Sequence, residues 1–179
     1  NEHDVVIVHL GGGAAWQNGA LAFAALKYWL LHENVRLLVL SKPVNEYEEL
    51  KQKFPENVVV TQVSHSDVPA YLSMADYGLL MREDNVTNKV ASPVKFAEYL
   101  SCGLKIICSP SIGDFSKLVK QMNLGIIVSH ENYQNVDFSC VDDEERARIS
   151  DIAMKMFSKE SENIREKYTE VLNEILFME

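Results

Sequence analysis

The chain has 179 residues, 47% hydrophobic and 24% charged, with eight Gly and five Pro, a composition that excludes fibrous and low-complexity proteins and suits one compact domain. No apolar run nears the ~18 residues of a membrane-spanning helix. Seventeen basic against 26 acidic residues leave a formal charge of −9, which argues against a general nucleic-acid binder, because phosphate contacts need clustered Lys and Arg.

Six short runs rich in Val, Ile and Leu, at 5–10, 35–40, 58–63, 77–81, 105–108 and 125–128, lack strict alternation. Strands buried on both faces of a parallel sheet read this way. Helical patterns fall between them, over 17–32, 45–54, 67–74, 93–102 and 114–122. The alternation predicts an α/β fold, a Rossmann-like doubly wound parallel sheet of about six strands. From Asp142 onward the strand signal stops. Asp142 and Glu145 suggest a capping box, then Ile149, Ile152, Ala153, Met156 and Phe157 recur at helical spacing. A second stripe, Ile164, Tyr168, Val171, Leu172, Ile175 and Leu176, follows a break near 158–161. The expected organisation is a Rossmann-like unit over 1–141 and a C-terminal helical segment over 142–179. That segment would pack on the unit or on a missing domain. The chain opens on Asn1 and enters its first strand by Val5, which points to a piece of a longer protein. Cys102, Cys108 and Cys140 form no complete disulfide set and have no metal-ligand spacing. Reduced, buried thiols of a cytoplasmic protein are expected.

Ligands of open α/β sheets bind outside the carboxyl ends of the strands, where the strand order reverses. Three loops belong there. The first holds Gly11, Gly12 and Gly13, more glycine than a plain turn needs. Trp16 stands where a dinucleotide fingerprint would need its last Gly, and Ser41-Lys42 replace the acidic residue that should end the second strand. A dinucleotide-dependent oxidoreductase is therefore the weaker reading. The second loop runs from Arg82 through Lys89 to Ser92 and opens a helix at Pro93. Ser92 is a good N-cap and Pro93 a good first helical residue. Such a start offers free N–H groups to an anion, and Lys95 in its first turn is otherwise mildly unfavourable. Glu98, three residues on, shares its face; a solvated Lys–Glu pair would give the same spacing. The third loop, 109–114, reads as a turn with Asp114 as N-cap. His9 ends the first strand, where a lone histidine is either structural or lines the cleft.

The stretch Ala91-Ser92-Pro93-Val94-Lys95-Phe96-Ala97-Glu98-Tyr99-Leu100-Ser101-Cys102-Gly103 resembles the S-P-x-K-x-x-E-Y-L-A-x-G segment of retaining GT-B glycosyltransferases, the group 1 family. Val68-Pro69-Ala70-Tyr71-Leu72-Ser73-Met74-Ala75-Asp76-Tyr77-Gly78-Leu79-Leu80 is similar to the segment that precedes it there. The resemblance implies the C-terminal, nucleotide-sugar-binding half of a two-domain enzyme, its acceptor domain missing and this piece inactive alone. It implies a nucleoside-diphosphate sugar as substrate, a UDP-sugar first, with no cofactor and no metal. Glu98 matches the residue that grips the ribose. It further implies polysaccharide biosynthesis in the cytoplasm, at the inner face of the membrane through the missing domain. The sequence departs from the family in two places: Val90 stands where an earlier Glu is frequent, and the first loop has glycines, Gln17 and Asn18 where Arg and Lys are frequent. Charge for a diphosphate would come from Arg82, Lys89, Lys95 and backbone N–H groups. The alternative is a non-catalytic nucleotide-binding partner subunit derived from such an enzyme.

Overall fold

A computed structural model of the chain describes residues 4–11, 20–84, 94–158, 165–166 and 169–170. Among them lie β1 (Val5–Leu10), β2 (Val35–Leu40), β3 (Val58–Thr61), β4 (Tyr77–Leu80), β5 (Lys105–Cys108) and β6 (Gly125–Ile127). They form one sheet in the order β3-β2-β1-β4-β5-β6, every pair parallel. This is the doubly wound, Rossmann-like arrangement the alternation predicts. The order reverses between β1 and β4, the switch point at whose crevice ligands of open α/β sheets bind.

The helices are α1 (Ala20–Trp29), α2 (Asn45–Lys53), α3 (Val68–Leu72), α4 (Val94–Ser101), α5 (Asp114–Gln121) and α6 (Asp143–Phe157). Two apolar clusters cover the two faces of the sheet. One gathers Ala22, Leu26 and Trp29 of α1 with Tyr47 and Leu50 of α2. The other gathers Leu72 of α3, Phe96 and Leu100 of α4, Val119 of α5 and Ile149 of α6. Strand residues supply both clusters, which is why their sequence lacks a polar face. No helix among the described residues is long and apolar enough to cross a membrane.

The first cluster closes without a helix after β6. A 3-10 turn, Tyr133–Asn135, and the extended residues after it do the covering. The Trp29 indole N–H donates to the Tyr133 carbonyl at 2.7 Å, and Phe138 meets Trp29 and Tyr77 edge-on at 5.2 and 5.3 Å. No periodicity in 129–142 announces this, because aromatic contacts rather than a repeating stripe hold it.

The amino-terminal end of the central strand pair is fixed by one buried carboxylate. Asp76 accepts from the N–H of Val6 (2.9 Å), the N–H of Val141 (2.9 Å) and the Arg146 guanidinium (2.9 Å). Arg146 also donates to the carbonyls of Ala75 and Val141. The pair thus ties β1, β4, the approach to α6 and α6 itself together, with its charges and lone pairs satisfied.

Four local expectations change. The strands in the runs at 58–63, 77–81 and 125–128 end at Thr61, Leu80 and Ile127; Met81 stays buried past the end of its strand, and Val128, also buried, adds one more bond through its N–H to Cys108 O at 2.8 Å. Asp114 is not an N-cap: Gly113 holds that position at φ 63°, and Asp114 is the first helical residue. Asp142 does cap α6 by accepting from Glu145 N–H at 2.8 Å, but the box is not reciprocal. The Glu145 carboxylate instead takes Arg148 at 2.6 Å and Lys105 at 3.3 Å, two cations outcompeting one neutral N–H. The thiols are free, Cys108 buried and Cys102 half-buried, but Cys140 is exposed, because its segment is extended across the surface.

Helix α4 ends in a Schellman motif. Leu104 N–H donates to Tyr99 O and Gly103 N–H to Leu100 O, with Gly103 at φ 76°. A Cβ there would also stand 3.0 Å from the Arg146 carbonyl. Gly103→Val should therefore destabilise the chain by about 1–2 kcal/mol. A lowered urea midpoint checks this; an unchanged one would show that the cap tolerates a side chain.

Candidate functional site

The crevice is built from the ends of β1, β4 and β5 and from the start of α4. At the end of β1, Gly11 extends the pairing with β2 through its N–H to Leu40 O at 3.2 Å. A Cβ on Gly11 would strike the His9 imidazole, so glycine is required here by space. His9 is buried and stacks on Tyr47 with ring centroids 5.4 Å apart. Burial, helped by the nearby charge of Lys95, brings its pKa to about 3; the imidazole is neutral and contributes no cation.

Arg82 leaves β4 and is locked by the hydroxyl of Ser109, which follows β5. Arg82 N–H donates to Ser109 Oγ at 3.0 Å, and Ser109 Oγ–H donates back to Arg82 O at 2.8 Å. One serine thereby replaces a ladder rung beyond the end of both strands. Arg82 borders a cleft of about 330 Å³ with Leu21, Ala22, Ser109, Pro110 and His130, on the α1 side of the sheet. Burial lowers the pKa of its guanidinium, which nevertheless stays charged.

Glu98 borders a different hollow. A groove of about 640 Å³ runs between α3, α4 and α6, walled by Val68, Leu72, Ala97, Met154 and Phe157, with His65 at one side. Lys95 stands between the two hollows in electrostatic terms. Burial is the first cause of its lowered pKa, about 8; the Arg82 charge adds to it and the Glu98 carboxylate opposes it. The structure therefore brings Arg82, Lys95 and Glu98 into one electrostatic group at the mouth of the crevice. Gly12, Gly13, Lys89 and Ser92 lie outside the described residues.

Two contributors escape a sequence reading. Ser109 sits in a loop whose residues suggest only a turn. Tyr99 is fully buried, and its hydroxyl accepts from Leu10 N–H at 2.8 Å. The trace it leaves in sequence is Gly78, a glycine inside a strand, which marks a close approach: a Cβ there would overlap the Tyr99 ring.

No protein-family model matches the sequence, and no curated protein matches it. Solved structures do match in fold. HepE of Anabaena in complex with UDP aligns with a TM-score of 0.70 at 16% identity, over 96% of this chain and 49% of that one. WaaG, a glycosyltransferase involved in lipopolysaccharide biosynthesis, aligns at 0.66 and 18%, over 96% and 47%. The catalytic domain of cholesterol-α-glucosyltransferase from Helicobacter pylori aligns at 0.54 and 14%, over 94% and 98%. The chain spans about half the length of the first two. HepE is also known in complex with UDP-glucose.

Lys95 carries a direct consequence for stability. Its pKa is about 8 in the fold against an ordinary 10.5. Between these values the unfolded chain binds more protons than the native one, so this contribution rises with pH, is complete above 10.5 and is lost as pH falls through about 8. Urea denaturation across that window should show wild type gaining roughly 1–3 kcal/mol relative to Lys95→Met. Parallel pH profiles for the two proteins would place Lys95 in water.

Proposed function

We propose that this chain is the donor-binding half of a glycosyltransferase that moves a sugar from a nucleoside diphosphate, a UDP-sugar first, to an acceptor hydroxyl with retention of configuration. The observation that carries this reading is the pair of cations, Arg82 and Lys95, at the mouth of the switch-point crevice, where burial and then the Arg82 charge lower the Lys95 pKa. Packing two cations together in a chain of net charge −9 is favourable when an anion joins them. The motif around Ser92, Lys95 and Glu98, and the shared fold with HepE, solved with UDP and with UDP-glucose, support the same conclusion.

The two hollows suit the two ends of such a donor. The diphosphate would lie over Lys95 and Arg82. The nucleoside would reach toward Glu98 and the apolar groove, its ribose hydroxyls donating to the carboxylate. The sugar would enter the cleft beside Arg82, Ser109 and His130. In this reading the chain contributes electrostatic stabilisation of the leaving diphosphate and positioning of the donor. The acceptor would come from the other half of the protein, and this half alone would not turn over. The missing cations of the first loop favour a second reading, a partner subunit that binds the nucleotide and transfers nothing. Sugar transfer from UDP-glucose by the whole protein separates the two.

Binding to the chain itself tests the site. Lys95→Ala should weaken UDP by ~10-fold or more, the loss of a charge-assisted contact of about 1.5–3 kcal/mol, and leave uridine nearly unchanged. Calorimetric titration of both ligands against both proteins reads this directly, and equal losses for the two would remove Lys95 from the phosphate. Wild-type affinity for UDP should also fall as pH rises past about 8, where Lys95 loses its proton; Lys95→Arg should flatten that profile, since Arg does not titrate there.

The ribose contact has a different signature. Glu98→Gln should weaken UDP and uridine alike, by ~10-fold, because the ribose is common to both. A loss confined to UDP would place Glu98 at the phosphate instead.

A further inference from the structure

Parallel strands bond through the N–H of one residue and the carbonyl of the residue preceding its partner. The β1–β4 register sets Ile7 beside Tyr77 and Val8 beside Gly78. Carried two residues further, it would direct Leu10 N–H to the carbonyl of Leu79. At that place the structure has a side chain. Leu10 N–H donates to Tyr99 Oη at 2.8 Å, and Tyr99 Oη–H donates to Leu79 O at 3.4 Å. The phenol accepts from one strand and donates to the other, so it stands in for one rung of the ladder. Its ring reaches that position only across Gly78, where any Cβ would overlap it. Burial raises the Tyr99 pKa, so the hydroxyl keeps the proton it donates.

We propose that Tyr99 is a positioning residue for the anion mouth: its hydroxyl keeps β1 and β4 apart by the width of one O–H group and thereby sets both sides of the crevice. On one side, β1 passes from Leu10 into Gly11. On the other, Tyr99 lies one helical turn after Lys95 on α4, and residues four apart share a face. Fixing the phenol between the strands therefore fixes how far the Lys95 ammonium stands over the opening. Without the hydroxyl, Leu10 N–H is left either to bond Leu79 O directly, which narrows the mouth, or to remain unsatisfied, which loosens α4. Both move Lys95 relative to Gly11. The inference rests on the reading that the crevice binds a nucleoside diphosphate.

Tyr99→Phe keeps the ring in the Gly78 slot and removes only the relay. UDP affinity should fall at least ~5-fold while uridine affinity changes by less than ~2-fold, with the near-UV spectrum retained. A merely structural role for the hydroxyl predicts a lower melting temperature with UDP and uridine affected equally or not at all, and that result overturns the inference. Wild-type chain in complex with UDP gives a second measurement that needs no variant. Its crystal structure should show a phosphate between Gly11 and Lys95 with the Leu10–Tyr99 bond intact, and a phosphate seated elsewhere overturns the inference. Absence of UDP binding by the wild type overturns the nucleotide reading, and the inference with it. UDP binding of equal strength in wild type and Tyr99→Phe overturns the inference alone.

Discussion

The central strand pair is closed at one end by a charge and opened at the other by a phenol. At the amino-terminal end, the Asp76 carboxylate binds Val6, Val141 and Arg146. Beyond the register of Val8 and Gly78, Tyr99 takes the place of the next rung. Both devices bond backbone groups at the two ends of the strand pair, and a buried unpaired N–H costs about as much as a lost hydrogen bond. The switch point is therefore a constraint before it is a site. Here side chains satisfy these groups, and each ties a helix to the strands. Asp76 fixes α6 through Arg146, and Tyr99 fixes α4.

These attachments explain why both hollows open where they do. Helix α4 descends from the crevice to its Schellman end at Gly103, and α6 packs along it, with Phe157 reaching the Phe96 ring at 6.1 Å. The groove beside Glu98 is what α3, α4 and α6 leave uncovered between them. On the other side, β6 is followed by a 3-10 turn and an extended segment, and the cleft beside Arg82 has His130 at its rim and Leu21 and Ala22 of α1 at its wall. Each hollow follows from what fills, or fails to fill, one face of the sheet.

The strands and the helices between them were legible because burial on both faces demands continuous apolar runs, and Val5–Leu10 or Lys105–Cys108 can be read with their limits. Limits were misread where burial outlasts the strand, as at Met81. Capping was half legible. Asp142 behaves as its residue type suggests, whereas Glu145 does not, because Lys105 and Arg148 are brought to it by tertiary structure that no local pattern encodes. In the candidate site, Lys95 and Glu98 stood out by their place in a helix start, and Gly11 by its loop. Tyr99 and Ser109 did not stand out, since their function is to bond main chain from distant strands. Leu10 is 89 residues from Tyr99, and Arg82 is 27 from Ser109. Such partners are set by topology, and in the sequence Gly78 alone hints at one of them.

The electrostatics of the mouth follow from the same attachments. Lys95 is half-buried because α4 is held against the strand ends, and it faces Arg82 because Ser109 holds Arg82 at the end of β4. The main chain that carries each cation is fixed, Arg82 through Ser109 and Lys95 through its helix. Burial first, and the Arg82 charge second, lower the Lys95 pKa, a cost borne by the ligand-free state. Strain or unfavourable charge kept in place by surrounding structure concentrates where a ligand relieves it. In a chain whose first loop has no Arg or Lys between Gly11 and Asn18, this enforced closeness is the source of concentrated positive charge that the described residues offer. An anion gains from both cations at once, and the attachments of Tyr99 and Ser109 to the strand ends set the main chain from which those cations extend.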